Sequence, residues 1–147
     1  MRCRVRCDRR QALRGRRACR GRRDFQGAQH QLAAVNLATG AEALAIATHA
    51  GLDPRLFLEV VGASSGASWI FADRMARALE GDYAPRAATT LLKKDVSIAV
   101  DAAAALGCEA PLARAARAAF DAAVAAGYGA EDDASLLKYY ASRVKRM

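Results

Sequence analysis

The chain has 147 residues, 53% of them hydrophobic, enough for one globular domain with a packed core and too few for two of ordinary size. The formal charge of +8 sits at one end: residues 1–24 hold eleven Arg against Asp8 and Asp24, whereas the remainder holds twelve Lys and Arg against thirteen acids. That placement excludes a basic surface spread over the body. No apolar run reaches the roughly 20 residues of a membrane span, and no apolar segment of the signal-peptide kind follows the Arg-rich start. Cys3, Cys7 and Cys19 lie in the basic segment and only Cys108 beyond it, which gives the body no disulfide framework and fits a reducing, cytoplasmic setting.

Residues 1–28 carry arginine without lysine and almost no apolar periodicity, and the expectation for them is disorder. From residue 29 onward the chain reads as helix throughout: alanine is abundant, β-branched runs are absent and apolar residues recur at helical spacing. Leu32, Val35, Leu37, Ala41, Leu44 and Ala45 form the stripe of a long first helix that ends at Gly51. Its apolar character on more than one face suits a central helix buried on several sides, or one that also meets a partner subunit. Asp53-Pro54 supplies an N-cap and a first-turn proline for a short helix that stops at Gly62.

The loop Ala63–Ser68 is rich in capping residues, and a helix follows from about Trp69 to Leu79. After the break at Gly81–Pro85, a second long helix spans about Ala87 to Leu106 and closes at Gly107. Pro111 opens another, ending near Gly127, and Asp132 or Asp133 caps a last helix through Leu136, Tyr139, Tyr140 and Val144. Lys145-Arg146 complements the dipole at its end. The predicted fold class is all-α, about six helices packed around the long first one, with no strand and no internal repeat.

Self-contained catalytic sets are missing. The two histidines, His30 and His49, stand in no Ser/His/Asp order, and the Cys3/Cys7 pair with His30 fits no standard zinc spacing, so no metal is expected. No Gly-x-Gly-x-x-Gly follows a strand, so this chain alone offers no cradle for a dinucleotide pyrophosphate. Lys93-Lys94-Asp95 lies in the first half of the second long helix; adjacent lysines ordinarily form a solvated patch, and a ligand contact is the competing reading. Trp69, the only tryptophan, reads as a core anchor at a helix start. Asn36, inside the apolar first helix, is either a structural hydrogen-bonding residue or part of a substrate pocket.

An ordered set of short segments carries a family resemblance over roughly three quarters of the chain. It comprises Ala-Ala-Val-Asn-Leu-Ala (33–38) leading into Ala41-Glu42-Ala43-Leu44, Ala-Gly-Leu-Asp-Pro (50–54), Gly-Ala-Ser-Trp (66–69), Gly-Asp-Tyr-Ala-Pro (81–85), Leu-Leu-Lys-Lys-Asp (91–95) and Ala-Ala-Gly-Tyr-Gly-Ala-Glu-Asp-Asp (125–133). In order and spacing these resemble the C-terminal domain of the 3-hydroxyisobutyrate dehydrogenase, or β-hydroxyacid dehydrogenase, family. Residues 68–75 and 127–133 resemble the L-threonate dehydrogenase subgroup.

The resemblance implies an all-α domain like the C-terminal domain of 6-phosphogluconate dehydrogenase, with substrate-binding and homodimer-forming roles. It also implies NAD or NADP as cofactor, held by a Rossmann domain, and a small hydroxyacid as substrate. The family's general acid/base is a lysine at the start of the first long helix, a choice that burial and a nearby cation make workable by lowering the ammonium's pKa. A second lysine, directly before an aspartate, reaches the cofactor, and that position matches Lys94.

The catalytic position falls about sixteen residues before Glu42, near Gln26, and the chain has no lysine before Lys93. The resemblance therefore implies residues 29–147 as the helical half of an NAD(P)-dependent β-hydroxyacid oxidoreductase, inactive alone. A non-catalytic helical interaction domain, or a decayed remnant, is the alternative.

One explanation of residues 1–28 is out-of-frame translation of GC-rich coding DNA. Read one nucleotide later, the codons of Gln26-Gly27 (CAR-GGN) contain ARG, which can encode lysine, and those of Gln29-His30 (CAR-CAY) contain ARC, which can encode asparagine. Arg20-Gly21 and Arg22-Arg23 can each yield glycine. The shifted reading can thus be Gly-Ala-Gly-Ala-Thr-Ser-Lys-Val-Leu-Asn-Thr, the family segment with lysine at the required offset from Glu42. A nucleic-acid-binding arm or a mitochondrial presequence ranks below this: interleaved aromatics and a recognition fold are missing for the first, and serines with a hydrophobic face for the second. Neither nucleic acid nor membrane is an expected partner.

Overall fold

Helix-forming composition and well-placed breakers set the architecture. The structure, a computed structural model, describes the backbone of residues 9–144 and the side chains from Gln26 to Val144. It contains α1 (Arg9–His49), α2 (Pro54–Gly62), α3 (Trp69–Leu79), α4 (Thr89–Ala105), α5 (Pro111–Ala123) and α6 (Leu136–Arg143). A π-helical turn (Val124–Tyr128) continues α5, and a 3₁₀ turn (Asp133–Ser135) precedes α6. No strand occurs among the described residues, only an isolated antiparallel bridge between Ala88 and Asp132.

The breaks fall where the residues dictate. Gly51 (φ 87°) and Gly107 (φ 70°) take left-handed conformations that end α1 and α4. The Asp53 carboxylate accepts from the Arg55 and Leu56 N–H groups at 2.8 and 2.9 Å, capping α2, and Ser68 Oγ accepts from Phe71 N at 3.2 Å, capping α3. Asp132 caps the final turns through Ala134 N, while Asp133 turns inward. The described backbone from Arg9 onward is helical, whereas the sequence reading expects disorder over residues 1–28; Ala, Arg and Gln there are good helix formers. Cys3 and Cys7, and the Lys145-Arg146 pair expected to complement the last helix dipole, lie outside the described residues.

At about 1.5 Å per residue, the 41 residues of α1 span about 60 Å. Its inner face buries Ala34, Leu37, Ala41 and Leu44 completely, and these meet Met75, Val96, Phe120 and Leu136 in one core. Burying each large side chain contributes about 1.5–3 kcal/mol. Every other helix touches α1, and α4 packs against it most extensively. Alanine and glycine allow close approach: Gly40 on α1 faces the Phe71 ring of α3 where a methyl group would not fit. The central placement expected of the first helix is observed.

Three hydrogen-bond contacts from Thr89 fix where α4 begins. Thr89 Oγ1 donates towards the carbonyls of Glu131 and Asp132, at 3.1 Å each, and Thr89 N reaches Glu131 O at 2.9 Å. The start of α4 is thereby tied to the segment before α6, and the next turn presents Lys93, Lys94 and Asp95.

Candidate functional site

Where residues 26–30 of α1 pass α4, their side chains line an open cleft of about 610 Å³. Gln26, Gly27 and His30 come from α1, at three- and four-residue spacing that places them on one helical face. Lys94 and Asp95 come from α4, and Ile98 and Leu106 extend an apolar wall beyond them. Ile98 and Leu106 are exposed, so the cleft joins a polar end to an uncovered apolar flank.

The two lysines separate cleanly. Lys93 turns towards α5 and pairs with Asp121 at 2.9 Å, a partly solvated ion pair. Lys94 faces the cleft, its side chain 63% exposed, with Asp95 Oδ1 at 4.0 Å as the ion-pair partner. Its ammonium thus keeps donors for a ligand. Asp95 is largely buried, and its second oxygen, Oδ2, lies 3.6 Å from His30 Nδ1. That distance is too long for a hydrogen bond; the Nδ1 edge of the ring faces the carboxylate without being tied to it.

Lys94 fits a cofactor contact through this exposed ammonium. The described residues provide no strand-to-helix glycine turn to receive the remainder of a dinucleotide. Gln26, at the position where the resemblance requires lysine, stands in the same cleft as Lys94.

A second cleft, of about 420 Å³, lies between α1, α2 and the loop before α3; Asn36, Thr39, Ser65, Ser68 and Phe71 line part of it. Asn36 is exposed and borders this cleft. Trp69 corrects its expectation: it is 75% exposed rather than a core anchor. Ser68 supplies the cap and Phe71 and Met75 supply the buried face of α3, so the first-turn Trp69 points outward, with the Arg74 guanidinium 5.9 Å from its ring centroid. Among the described residues no group of three or more His, Cys, Asp or Glu is disposed to hold a metal.

The strongest electrostatics lie elsewhere. Asp132 and Asp133 are buried beneath α3, where Arg77 Nη2 approaches Asp132 Oδ1 at 3.0 Å and Arg74 Nε approaches Asp133 Oδ1 at 2.6 Å. Burial works to raise the Asp132 carboxyl, but hydrogen bonds from Arg86 N–H, the Arg77 guanidinium and Ala134 N–H outweigh it and hold the group below its ordinary range. For Asp133 burial wins against Arg74, and its carboxyl is pushed up to about 6. This cluster clamps the segment before α6 onto α3; the sequence reading saw only its capping role, because nothing local pairs residues 74 and 77 with 132 and 133.

A family model described as NAD-binding of NADP-dependent 3-hydroxyisobutyrate dehydrogenase matches residues 28–140. The chain belongs to the 3-hydroxyisobutyrate dehydrogenase family. L-threonate dehydrogenase from Escherichia coli is 42% identical over 112 residues, covering 76% of this chain and 37% of that enzyme. The crystal structure of a 3-hydroxyisobutyrate dehydrogenase from Salmonella typhimurium superposes with a TM-score of 0.76 at 39% identity, over 78% of this chain and 40% of that one. A Mycobacterium tuberculosis 3-hydroxyisobutyrate dehydrogenase, solved with L-serine, gives a TM-score of 0.70 at 26% identity, covering 78% and 42%. The chain thus spans little more than a third of the length of the curated L-threonate dehydrogenases it resembles. The all-α fold and the β-hydroxyacid dehydrogenase relation inferred from sequence are both met. The family's cofactor is NAD or NADP.

Proposed function

We propose that this chain is the helical, substrate-binding and homodimer-forming half of an NAD(P)-dependent β-hydroxyacid oxidoreductase of the L-threonate or 3-hydroxyisobutyrate type, inactive by itself. The observation that carries this reading is the convergence of Gln26 and Lys94 on one cleft between α1 and α4. Those are the positions at which the family resemblance puts the acid/base lysine and the cofactor-contacting lysine. Lys94 would hold an anionic part of the cofactor, whose nicotinamide supplies the hydride acceptor when bound. At position 26 this chain offers an amide, which is no proton acceptor at ordinary pH. The exposed apolar residues Leu32 and Ile46 on the long helix support association with a second copy.

The test is a chimera. Residues 29–147 replace the matching helical region of Escherichia coli L-threonate dehydrogenase, which keeps its own preceding segment and its lysine. The expected outcome is L-threonate-dependent reduction of NAD or NADP by the chimera and none by the 147-residue chain. A folded but inert chimera, or steady turnover by the unmodified chain, would overturn the reading.

A further inference from the structure

Asp132 and Asp133 are adjacent and both fully buried, yet their surroundings are unequal. Asp132 accepts from Arg77 Nη2 at 3.0 Å, from Ala134 N at 3.2 Å and from the N–H groups of Arg86 and Ala87 at 2.9 and 3.3 Å. Among the described residues Asp133 accepts from Arg74 Nε alone, at 2.6 Å. Donors stabilise the ionised form, so of two neighbouring carboxylates the poorly served one takes up a proton first. Burial raises the Asp133 carboxyl most, Arg74 opposes it, and the charge of Asp132 adds to the rise.

Arg74 connects this carboxylate to the surface. Its guanidinium also bonds Asp73 and stands 5.9 Å from the ring centroid of Trp69, at the outer limit of a cation–π contact. The exposed Trp69 directly follows Ser68, which lines the cleft between α1, α2 and the loop before α3.

We propose that Trp69, Arg74 and Asp133 form a proton-operated switch, in which protonation of buried Asp133 releases Arg74 to close over the exposed indole beside the second cleft. The proton comes from solvent and Arg74 stays charged. While Asp133 is ionised, a charge-assisted hydrogen bond pins the Nε edge of Arg74 inward. A neutral carboxyl accepts about half as strongly, so the guanidinium, still held by Asp73, turns towards the ring. The other charges on the elements packed here are engaged elsewhere. Arg77 of α3 binds Asp132, with Asp73 at 3.6 Å, and the Arg86 guanidinium before α4 binds Asp82 at 3.0 Å. α4 presents the neutral Thr89 hydroxyl to Ser135, and α6 sends Lys138 to Glu131 at 2.7 Å.

Trp69 is the chain's only tryptophan, so its fluorescence reports this site alone. The 147-residue chain is titrated with acrylamide, a neutral collisional quencher, between about pH 5 and about pH 7, which brackets an Asp133 carboxyl pushed up to about 6. Circular dichroism follows helix content in parallel. The quenching constant should fall as the pH drops, because the stacked form gains about two- to fivefold on the open one, the ratio that a cation–π contact at an exposed site supports. Asp133→Asn, an isostere of the protonated carboxyl, should give the low value at every pH. Adding Arg74→Met to it removes the cation without stranding a buried charge and should give the high value at every pH.

Persistence of the pH dependence in Asp133→Asn would assign it to His30 or His49 and overturn the switch. A flat parent profile, equal quenching of the two variants, or loss of helix in step with the quenching change overturns it as well.

Discussion

Gln26 and Lys94 line one cleft from different helices, Gln26 from the first turn of α1 whose side chains are described and Lys94 from the second turn of α4. The relation gives position 26 a chemical test. In a fusion of residues 24–147 behind the nucleotide-binding half of Escherichia coli L-threonate dehydrogenase, Gln26→Lys places an ammonium beside the substrate hydroxyl. Turnover of L-threonate should rise by at least about 10²-fold, the lower range for a positioned acid/base. Equal rates for the parent fusion and its Gln26→Lys variant would show that the proton is handled from elsewhere.

The Arg74–Asp133 contact predicts a pH signature in stability rather than activity. Burial pushes the Asp133 carboxyl up to about 6. A raised acid pKa means that the folded state holds the proton more tightly, so this contribution is complete below the ordinary carboxylate value and is lost as pH rises through about 6. Asp133→Asn mimics the protonated side chain and should gain stability relative to the parent between about pH 4.5 and about pH 7. Urea unfolding at the two pH values measures the difference, and a pH-independent gap would contradict the burial argument. Arg77→Met, by contrast, removes the hydrogen-bonded guanidinium from buried Asp132, leaving Arg74 Nε at 3.9 Å and backbone N–H donors, and should cost about 3 kcal/mol at neutral pH.

The helix seam at Gly40 makes a steric prediction. A Cβ there would lie 2.3 Å from Cδ2 of Phe71, whose ring is itself buried. Gly40→Ala must therefore push α3 away from α1 or drive Phe71 off its rotamer, costing about 1–3 kcal/mol despite alanine's better helix propensity. The combination Gly40→Ala with Phe71→Leu should recover part of that loss in a thermal melt. Failure of the smaller side chain to restore stability would place the strain elsewhere.

The fold was legible because its signals are local. Gly51, Asp53-Pro54, Ser68 and Gly107 each mark a boundary through backbone conformation or a hydrogen bond made within three residues, and the structure breaks its helices where they stand. Trp69 was misread because its size argues for burial, whereas its first-turn position and the opposite face claimed by Phe71 and Met75 decide the matter. The cleft was legible only in part. Segment order picked out Lys94 and position 26, but the approach of His30 to Asp95 depends on how α1 crosses α4. The Arg74–Asp133 clamp was equally out of reach, since α4, α5, the π-helical turn and their connecting loops separate its partners. A histidine one helical turn beyond the missing lysine was the one signal that could have flagged His30.

The coding DNA offers the sharpest test of the basic segment. The frame hypothesis requires that the codons of Gln26-Gly27, read one nucleotide later, give AAG, and that a single-nucleotide change lie near codons 30–32. It also requires Rossmann-domain coding sequence upstream in another frame. Sequencing from a few hundred bases upstream through codon 35 checks all three together, and any triplet other than a lysine codon at the shifted position 26 sinks the idea. The same shift would put threonine or isoleucine where His30 now stands, since His30-Gln31 (CAY-CAR) contains AYC. Were it confirmed, the imidazole facing Asp95 would be a feature of this reading frame alone, and the loss of the lysine and the gain of the histidine would have a single cause.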